Sequence, residues 1–187
     1  GDIKISTTYE PKLLGTAGTL IKNADFFSGY HCLMIHADNF TNTNINNFIE
    51  FHSNVSIPKK RILSMMTFHT NSPETCGIVK LDEEKVVQKF FEKNKEFHGN
   101  IANAAIYLFN EKLINFLQSS KKQFFDFSTD VIPLLLGKIQ TYQTNSNFID
   151  IGTIENLKKA RLLAENESGI LQNDKMIKKS ILDDHNM

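Results

Sequence analysis

Cys32-Leu33-Met34-Ile35-His36-Ala37-Asp38-Asn39 sets a short apolar run just ahead of a carboxylate, and Asn147-Phe148-Ile149-Asp150-Ile151-Gly152-Thr153 repeats the arrangement near the other end of the chain. Each reads as an aspartate at the carboxyl end of a strand. In an open α/β sheet, ligands bind in the crevice beyond those ends, so Asp38 and Asp150 on neighbouring strands could share one hard cation, typically magnesium with phosphate oxygens. Either aspartate alone is equally an ordinary turn or helix N-cap residue. The pair points to phosphoryl chemistry on a nucleotide.

Outward from these runs, strands and helices alternate. Gly15-Thr16-Ala17-Gly18 followed by helical spacing reads as a glycine-containing loop opening a helix. Asn42 to Ser53 carries Ile45, Phe48, Ile49 and His52 at three- and four-residue spacing, which predicts an amphipathic helix. Strands are expected over Cys32 to His36, Arg61 to His69, Cys76 to Leu81, Val86 to Glu92 and Ile101 to Phe109. The turn formers Asp82-Glu83-Glu84 give the third and fourth of these hairpin spacing. Helices follow over Glu111 to Gln118 and Ser128 to Leu136, the second with Ser128 as its expected N-cap, then short strands over Ile139 to Gln143 and Phe148 to Ile149. A last helix starts near Thr153 and runs to about Glu165. This order predicts a Rossmann-like α/β fold: a mostly parallel sheet with helices on both faces and a small antiparallel insertion. The expected organisation is one α/β domain over 1–165 and a polar carboxy-terminal tail or docking helix over 166–187.

The chain has 187 residues, 41% of them hydrophobic, enough for one sizeable core. Twenty-one basic residues balance 21 acidic ones, and no basic stripe with interleaved aromatics suggests a nucleic-acid groove. Cys32 and Cys76 are too few for a disulfide framework and lack metal-ligand spacing, so both read as buried, inert thiols. There is no apolar run of membrane-spanning length and no signal-peptide pattern at Gly1-Asp2-Ile3-Lys4, so no membrane partner and a cytoplasmic location are expected. The six histidines show no metal-ligand spacing; His36, two residues before Asp38, reads as a packing or hydrogen-bonding residue.

Six segments carry a family resemblance in their order: Glu10-Pro11-Lys12-Leu13-Leu14-Gly15-Thr16-Ala17-Gly18, Ala37-Asp38-Asn39, Cys76-Gly77-Ile78-Val79, Phe91-Glu92-Lys93, Asn103-Ala104-Ala105-Ile106-Tyr107 and Ile149-Asp150-Ile151-Gly152-Thr153. Together they resemble the sugar-1-phosphate nucleotidyltransferases, with most likeness to the guanylyltransferases that make GDP-mannose or GDP-heptose. The resemblance implies a nucleotide-diphospho-sugar transferase-like fold and transfer of a nucleotidyl group to a sugar 1-phosphate, with release of pyrophosphate. It also implies magnesium held by Asp38 and Asp150, a phosphate-binding Lys93, sugar contacts from Gly77, Glu92 and Asn103, and nucleotide contacts from Glu10, Gly15 and Thr16. Successive strand residues diverge, so the Glu92-Lys93 pair must lie at a strand end or bend if both serve one ligand; otherwise it is a solvated charge pair. Glu10 as an ionised carboxylate is acceptor-only and suits the adjacent N1–H and N2–H donors of guanine, which favours GTP. Gly15 would bring backbone close to the base, or serve as a plain helix-entry glycine.

The sequence also departs from the family. The strand and glycine-rich loop that open the family domain have no counterpart here, so the domain is expected to be partial. Asn94 replaces a usual Pro, Ala105 a frequent Gly and Ile154 a common Pro. These departures leave open a second class, a non-catalytic module binding a nucleotide or sugar phosphate, and a third, a subunit whose sheet is completed by another chain carrying the loop; a homo-oligomer is the other expected assembly.

Overall fold

Ile101–Asn110, the longest strand among the described residues, is also the organising one, because its second half is apolar enough to be covered on both faces. The computed structural model describes residues 4–120, 122 and 124–166. In chain order the elements are helices α1 (Thr16–Lys22) and α2 (Ala24–Phe27), strands β1 (His31–Ile35) and β2 (Asn39–Thr41), helix α3 (Ile45–Phe51), strands β3 (Leu63–His69), β4 (Gly77–Leu81), β5 (Val87–Glu92) and β6 (Ile101–Asn110), helices α4 (Glu111–Gln118) and α5 (Ile132–Leu134), and strands β7 (Ile139–Gln143) and β8 (Phe148–Asp150). A final helix, α6, covers 154–166. The chain forms two units, Gly1–His36 with Asn44–Asn145, and Ala37–Thr43 with Ser146–Met187.

The first unit holds a six-stranded sheet in the order β5-β4-β6-β3-β7, with β1 also joined to β6. Strands β1, β3 and β4 run antiparallel to β6, β5 runs antiparallel to β4, and β7 runs parallel to β3. Four strands of the six therefore point one way, and β5 and β6 point back. That is the expected mostly parallel sheet with its antiparallel hairpin, although β6 lies between strands that would otherwise pair in parallel. Burial along β6 alternates as far as Ile106, then becomes continuous over Tyr107, Leu108 and Phe109. One-sided burial thus gives way to burial on both faces.

The break falls at Ala105, whose φ is 51°. Met65 pairs with Tyr107 and Thr67 with Asn103, so β6 spends four residues where β3 spends two. This irregularity bends the strand and splits its other edge: Ala102 pairs with Ile78 of β4, whereas 106–110 pair with β1. Helix α4 seals the core by burying Leu113, Ile114 and Leu117, whose spacing sets them on one face, against Tyr107, Phe109 and Phe127. Full burial of each contributes roughly 1.5–3 kcal/mol.

Three expected boundaries move for local reasons. The helix foreseen over Asn42 to Ser53 begins at Ile45, because the Asn44 side chain accepts from Asn46 N–H, and it passes into a π turn over His52–Ser56. The helix foreseen over Ser128 to Leu136 is a π turn, Phe127–Val131, followed by the single turn α5, and Asp126 takes the cap position expected of Ser128. Pro133, which lacks an N–H donor, sits in the second piece. Cys32 is buried as expected, but Cys76 is only half-buried at the mouth of β4.

In the second unit, β2 and β8 form a two-stranded antiparallel ladder, with Asn39 opposite Asp150 and Thr41 opposite Phe148. Helix α6 begins after Thr153, whose hydroxyl accepts from Asn156 N–H at 3.2 Å, and carries the Glu155–Lys159 ion pair at 2.7 Å. It continues through Asn166; the rest of the expected 166–187 tail lies outside the described residues. Among the described residues no helix is long and apolar enough to cross a membrane.

Candidate functional site

The two aspartates that opened the sequence reading come together in the smaller unit, by a route the sequence did not suggest. β1 pairs with β6, not with β8, so the two apolar runs are not neighbouring strands. The chain instead turns at Asp38 into the short strand β2, which pairs with β8 and leaves the aspartates one residue apart across the ladder. Ile151 N–H donates to the Asp38 carbonyl at 2.8 Å. Asp150 Oδ1 accepts from Gly152 N–H at 2.8 Å, and Asn156 Nδ2 donates to the Asp150 carbonyl at 2.8 Å. A Cβ on Gly152 would come within 2.9 Å of that same Oδ1, so the missing side chain leaves the carboxylate its place. Both aspartates are exposed. Among the described residues no group of three or more His, Cys, Asp or Glu side chains converges. Two open carboxylates are fewer ligands than a cation of the magnesium class takes, so any such ion here would draw its remaining ligands from water and phosphate oxygens.

The larger unit holds the other expected residues, several of them near the irregularity in β6. Gly77 opens β4 directly opposite Glu92, the last residue of β5. A Cβ at Gly77 would lie 2.9 Å from Glu92 Oε2 and 2.6 Å from the Phe90 ring. Lys93 then takes φ 41°, so the Glu-Lys pair does sit at a strand end where the backbone bends. Partial burial pushes the Glu92 carboxyl above its usual range, with Lys93 pulling it back and Asp126 adding to the rise. Asn103 is held at both ends: its Nδ2 donates to Tyr107 Oη at 2.6 Å and its Oδ1 accepts from Ala105 N–H at 3.0 Å. Tyr107 is fully buried, which drives its phenol far above the ordinary value and fixes it as a neutral partner.

Thr16 and Gly15 are tied to the same region through the segment after α4. Phe125 N–H donates to the Leu14 carbonyl at 2.8 Å, and Ala17 and Gly18 N–H donate to the Phe125 carbonyl at 2.9 and 3.0 Å. Gly15 has φ 78°, and a Cβ there would meet Phe125 O at 2.6 Å. The close backbone approach that this glycine permits is to Phe125. Thr16 Oγ1 accepts from Phe127 N–H at 2.8 Å and donates to Asp126 Oδ2 at 3.3 Å. Glu10 is half-buried, and its Oε1 is shielded from solvent with no hydrogen-bond partner among the described residues. His36 has the same condition at Nε2.

The sequence reading missed Tyr107, Asp126 and Ser128. Asp126 acts electrostatically on both Glu92 and Tyr107, and Ser128 bonds to the Tyr107 hydroxyl. Phe125-Asp126-Phe127-Ser128 carried one usable signal: a lone carboxylate between two aromatics just before a helix start is a cap with an apolar anchor on either side.

Comparison with known proteins bears on the family and the fold. A profile of the family described as Nucleotidyl transferase matches residues 1–167. The glucose-1-phosphate adenylyltransferase of Clostridium botulinum (strain Alaska E43 / Type E3) is 27% identical over 158 residues, covering 79% of this chain and 40% of the relative. The enzyme of that name from Mycoplasma mobile is 28% identical over 160 residues, covering 79% and 41%. The chain thus spans about two-fifths of the length of these curated relatives. Among solved structures, a Bacillus anthracis protein crystallised with sucrose as a candidate glucose-1-phosphate thymidylyltransferase aligns with a TM-score of 0.72 at 23% identity, covering 83% of this chain and 63% of that one. HddC from Yersinia pseudotuberculosis, also solved with GMP-PN, aligns at 0.65 with 23% identity, covering 81% and 63%. The profile match extends over nearly the whole chain and takes in both the aspartate ladder and the bent strand: the chain belongs to the nucleotidyl transferase family.

Proposed function

We propose that this chain is the nucleotide- and sugar-binding part of a magnesium-dependent sugar-1-phosphate guanylyltransferase. The observation that carries the reading is the β2–β8 ladder, which brings Asp38 and Asp150 within one residue of each other. A phosphate oxygen of the sugar 1-phosphate attacks the α-phosphorus of the nucleoside triphosphate. The bond from that phosphorus to the bridging oxygen breaks, and pyrophosphate leaves with the electron pair. Such a transfer asks the protein for in-line positioning and charge neutralisation more than for covalent chemistry. Asp38 and Asp150 would hold magnesium, which when bound offsets the negative charge of the phosphates. Lys93 is assigned to phosphate, Glu92 and Asn103 to sugar hydroxyls and Gly77 to close backbone approach. Glu10 reads the base, and Gly15 and Thr16 shape its seat.

Glu10 supports guanine as the base, since an ionised carboxylate is acceptor-only and suits the adjacent N1–H and N2–H donors. The GMP-PN complex of HddC is consistent with this fold accepting a guanine nucleotide. A second reading, ATP as donor, is favoured by the adenylyltransferase relatives. Adenine presents one amino donor beside an acceptor nitrogen, and a carboxylate would repel the acceptor.

The test is pyrophosphate release with magnesium, mannose, heptose or glucose 1-phosphate, and GTP, ATP, CTP, UTP and dTTP in turn. GTP should be preferred, and Glu10→Gln should erode that preference. Asp38→Asn and Asp150→Asn should each lower turnover by roughly a hundredfold or more, the scale on which charge stabilisation is lost. Near-wild-type rates in either aspartate variant would remove the metal assignment, and preference for ATP would remove the guanine one.

A further inference from the structure

Away from the residues assigned above, two histidines face each other across the first unit. His31 opens β1 and is exposed; His52 opens the π turn after α3 and is only 3% exposed. His31 Nδ1 lies 3.4 Å from His52 Nε2, with the rings at 73° and their centroids 5.5 Å apart. The other nitrogen of His52 is spoken for: Nδ1 is 2.7 Å from Ser64 Oγ, and Ser64 Oγ donates to Ser56 Oγ at 2.6 Å. Because the single Ser64 proton goes to Ser56, His52 Nδ1 carries the hydrogen it shares with Ser64, and the Nε2 lone pair is left pointing at His31.

We propose that His31 and His52 form a binding site for a borderline divalent cation of the zinc class, which takes the two facing nitrogens as ligands in place of the proton between them. Zinc–imidazole bonds of 2.0–2.1 Å at a tetrahedral angle separate two ligand nitrogens by roughly 3.3 Å, which the 3.4 Å gap already matches. Binding needs His31 to carry its proton on Nε2, or to release it to water. Ser64 supplies the outer-shell hydrogen bond that fixes the tautomer and orientation of a ligating histidine. Since no third His, Cys, Asp or Glu converges among the described residues, water completes the coordination. Imidazole pairs suit zinc, copper or nickel and give magnesium little, so the site is chemically separate from the aspartate ladder. When filled it clips β1 to the turn after α3.

The experiment is calorimetric titration of zinc into the protein with magnesium in excess, together with NMR of the ring nitrogens. One zinc should bind per chain, the perturbed resonances should be His31 Nδ1 and His52 Nε2, and His31→Gln should weaken binding roughly tenfold or more. His31 is exposed, so that variant keeps the fold, and Asp38→Asn should leave the zinc isotherm unchanged. An isotherm that survives His31→Gln, ring-nitrogen shifts at other histidines, or no zinc binding would each overturn the proposal.

Discussion

Ala105 holds a left-handed conformation, φ 51°, in the middle of the strand that carries Asn103 and Tyr107. A Cβ in that region costs about 1–2 kcal/mol, so this chain holds with alanine a bend that glycine would adopt freely. The hydrogen bond from Ala105 N–H to Asn103 Oδ1 fixes the bend and the amide together. Ala105→Gly should therefore raise stability by up to about 1 kcal/mol, the relief of strain being partly offset by the greater freedom of glycine in the unfolded chain. Chemical denaturation would register this as a higher midpoint at constant slope. A lower midpoint would mean that the methyl group packs usefully. At this scale the sequence showed clearly where the backbone must be special and poorly why. Gly15 was readable as a point of close approach, but its nearest neighbour, the Phe125 carbonyl, lies more than a hundred residues away in sequence.

The segment after α4 shows how one residue can organise several elements. Asp126 Oδ1 accepts from Ser128 N–H, Thr129 N–H and the Thr129 hydroxyl, while Oδ2 accepts from Thr16 at the start of α1. Losing an N-cap acceptor typically costs about 1 kcal/mol and up to about 2. Asp126→Ala should fall at or above the upper end, since it also frees Thr16, whereas Asp126→Asn keeps an acceptor and should recover much of the loss. Equal stabilities for the two variants would show that charge, not capping, is what Asp126 provides. The strands and α4 were legible because apolar spacing repeats over five or more residues and turn formers bound it. β2 was not, being three half-buried residues whose strand character comes only from pairing with β8. The π turns were not either, because their extra residue per turn leaves no mark in the pattern. The nearness of Asp38 to Asp150 was therefore foreseeable, but the ladder that produces it was not.

For the molecule as a whole, the mostly parallel arrangement was foreseeable from alternating elements, but the reversed run of β6 through its centre was not, since strand direction depends on contacts between distant segments. The buried group whose titration bears on stability in mildly acidic solution is His52, in the same unit. Burial, with His31 facing it, lowers its pKa from the ordinary 6.5 to about 4. Between those values the unfolded chain binds a proton that the folded chain refuses, so stability rises with pH across this window and is lost as pH falls through it. The full difference is about 3 kcal/mol. Glu92, with its pKa raised by partial burial, works the other way, but its side chain keeps enough contact with water that its share is small. Asp82, Asp130 and Glu155, held low by their hydrogen bonds, reinforce the loss only at more acidic pH. Denaturation measured at several pH values from about 7 down to about 4 should thus show a loss of a few kcal/mol beginning near pH 6. His52→Gln, which cannot take the proton, should flatten that part of the profile even if it lowers stability throughout. An unchanged slope in the variant would show that another group carries the dependence, and that the His31–His52 contact admits water enough to hold a charge.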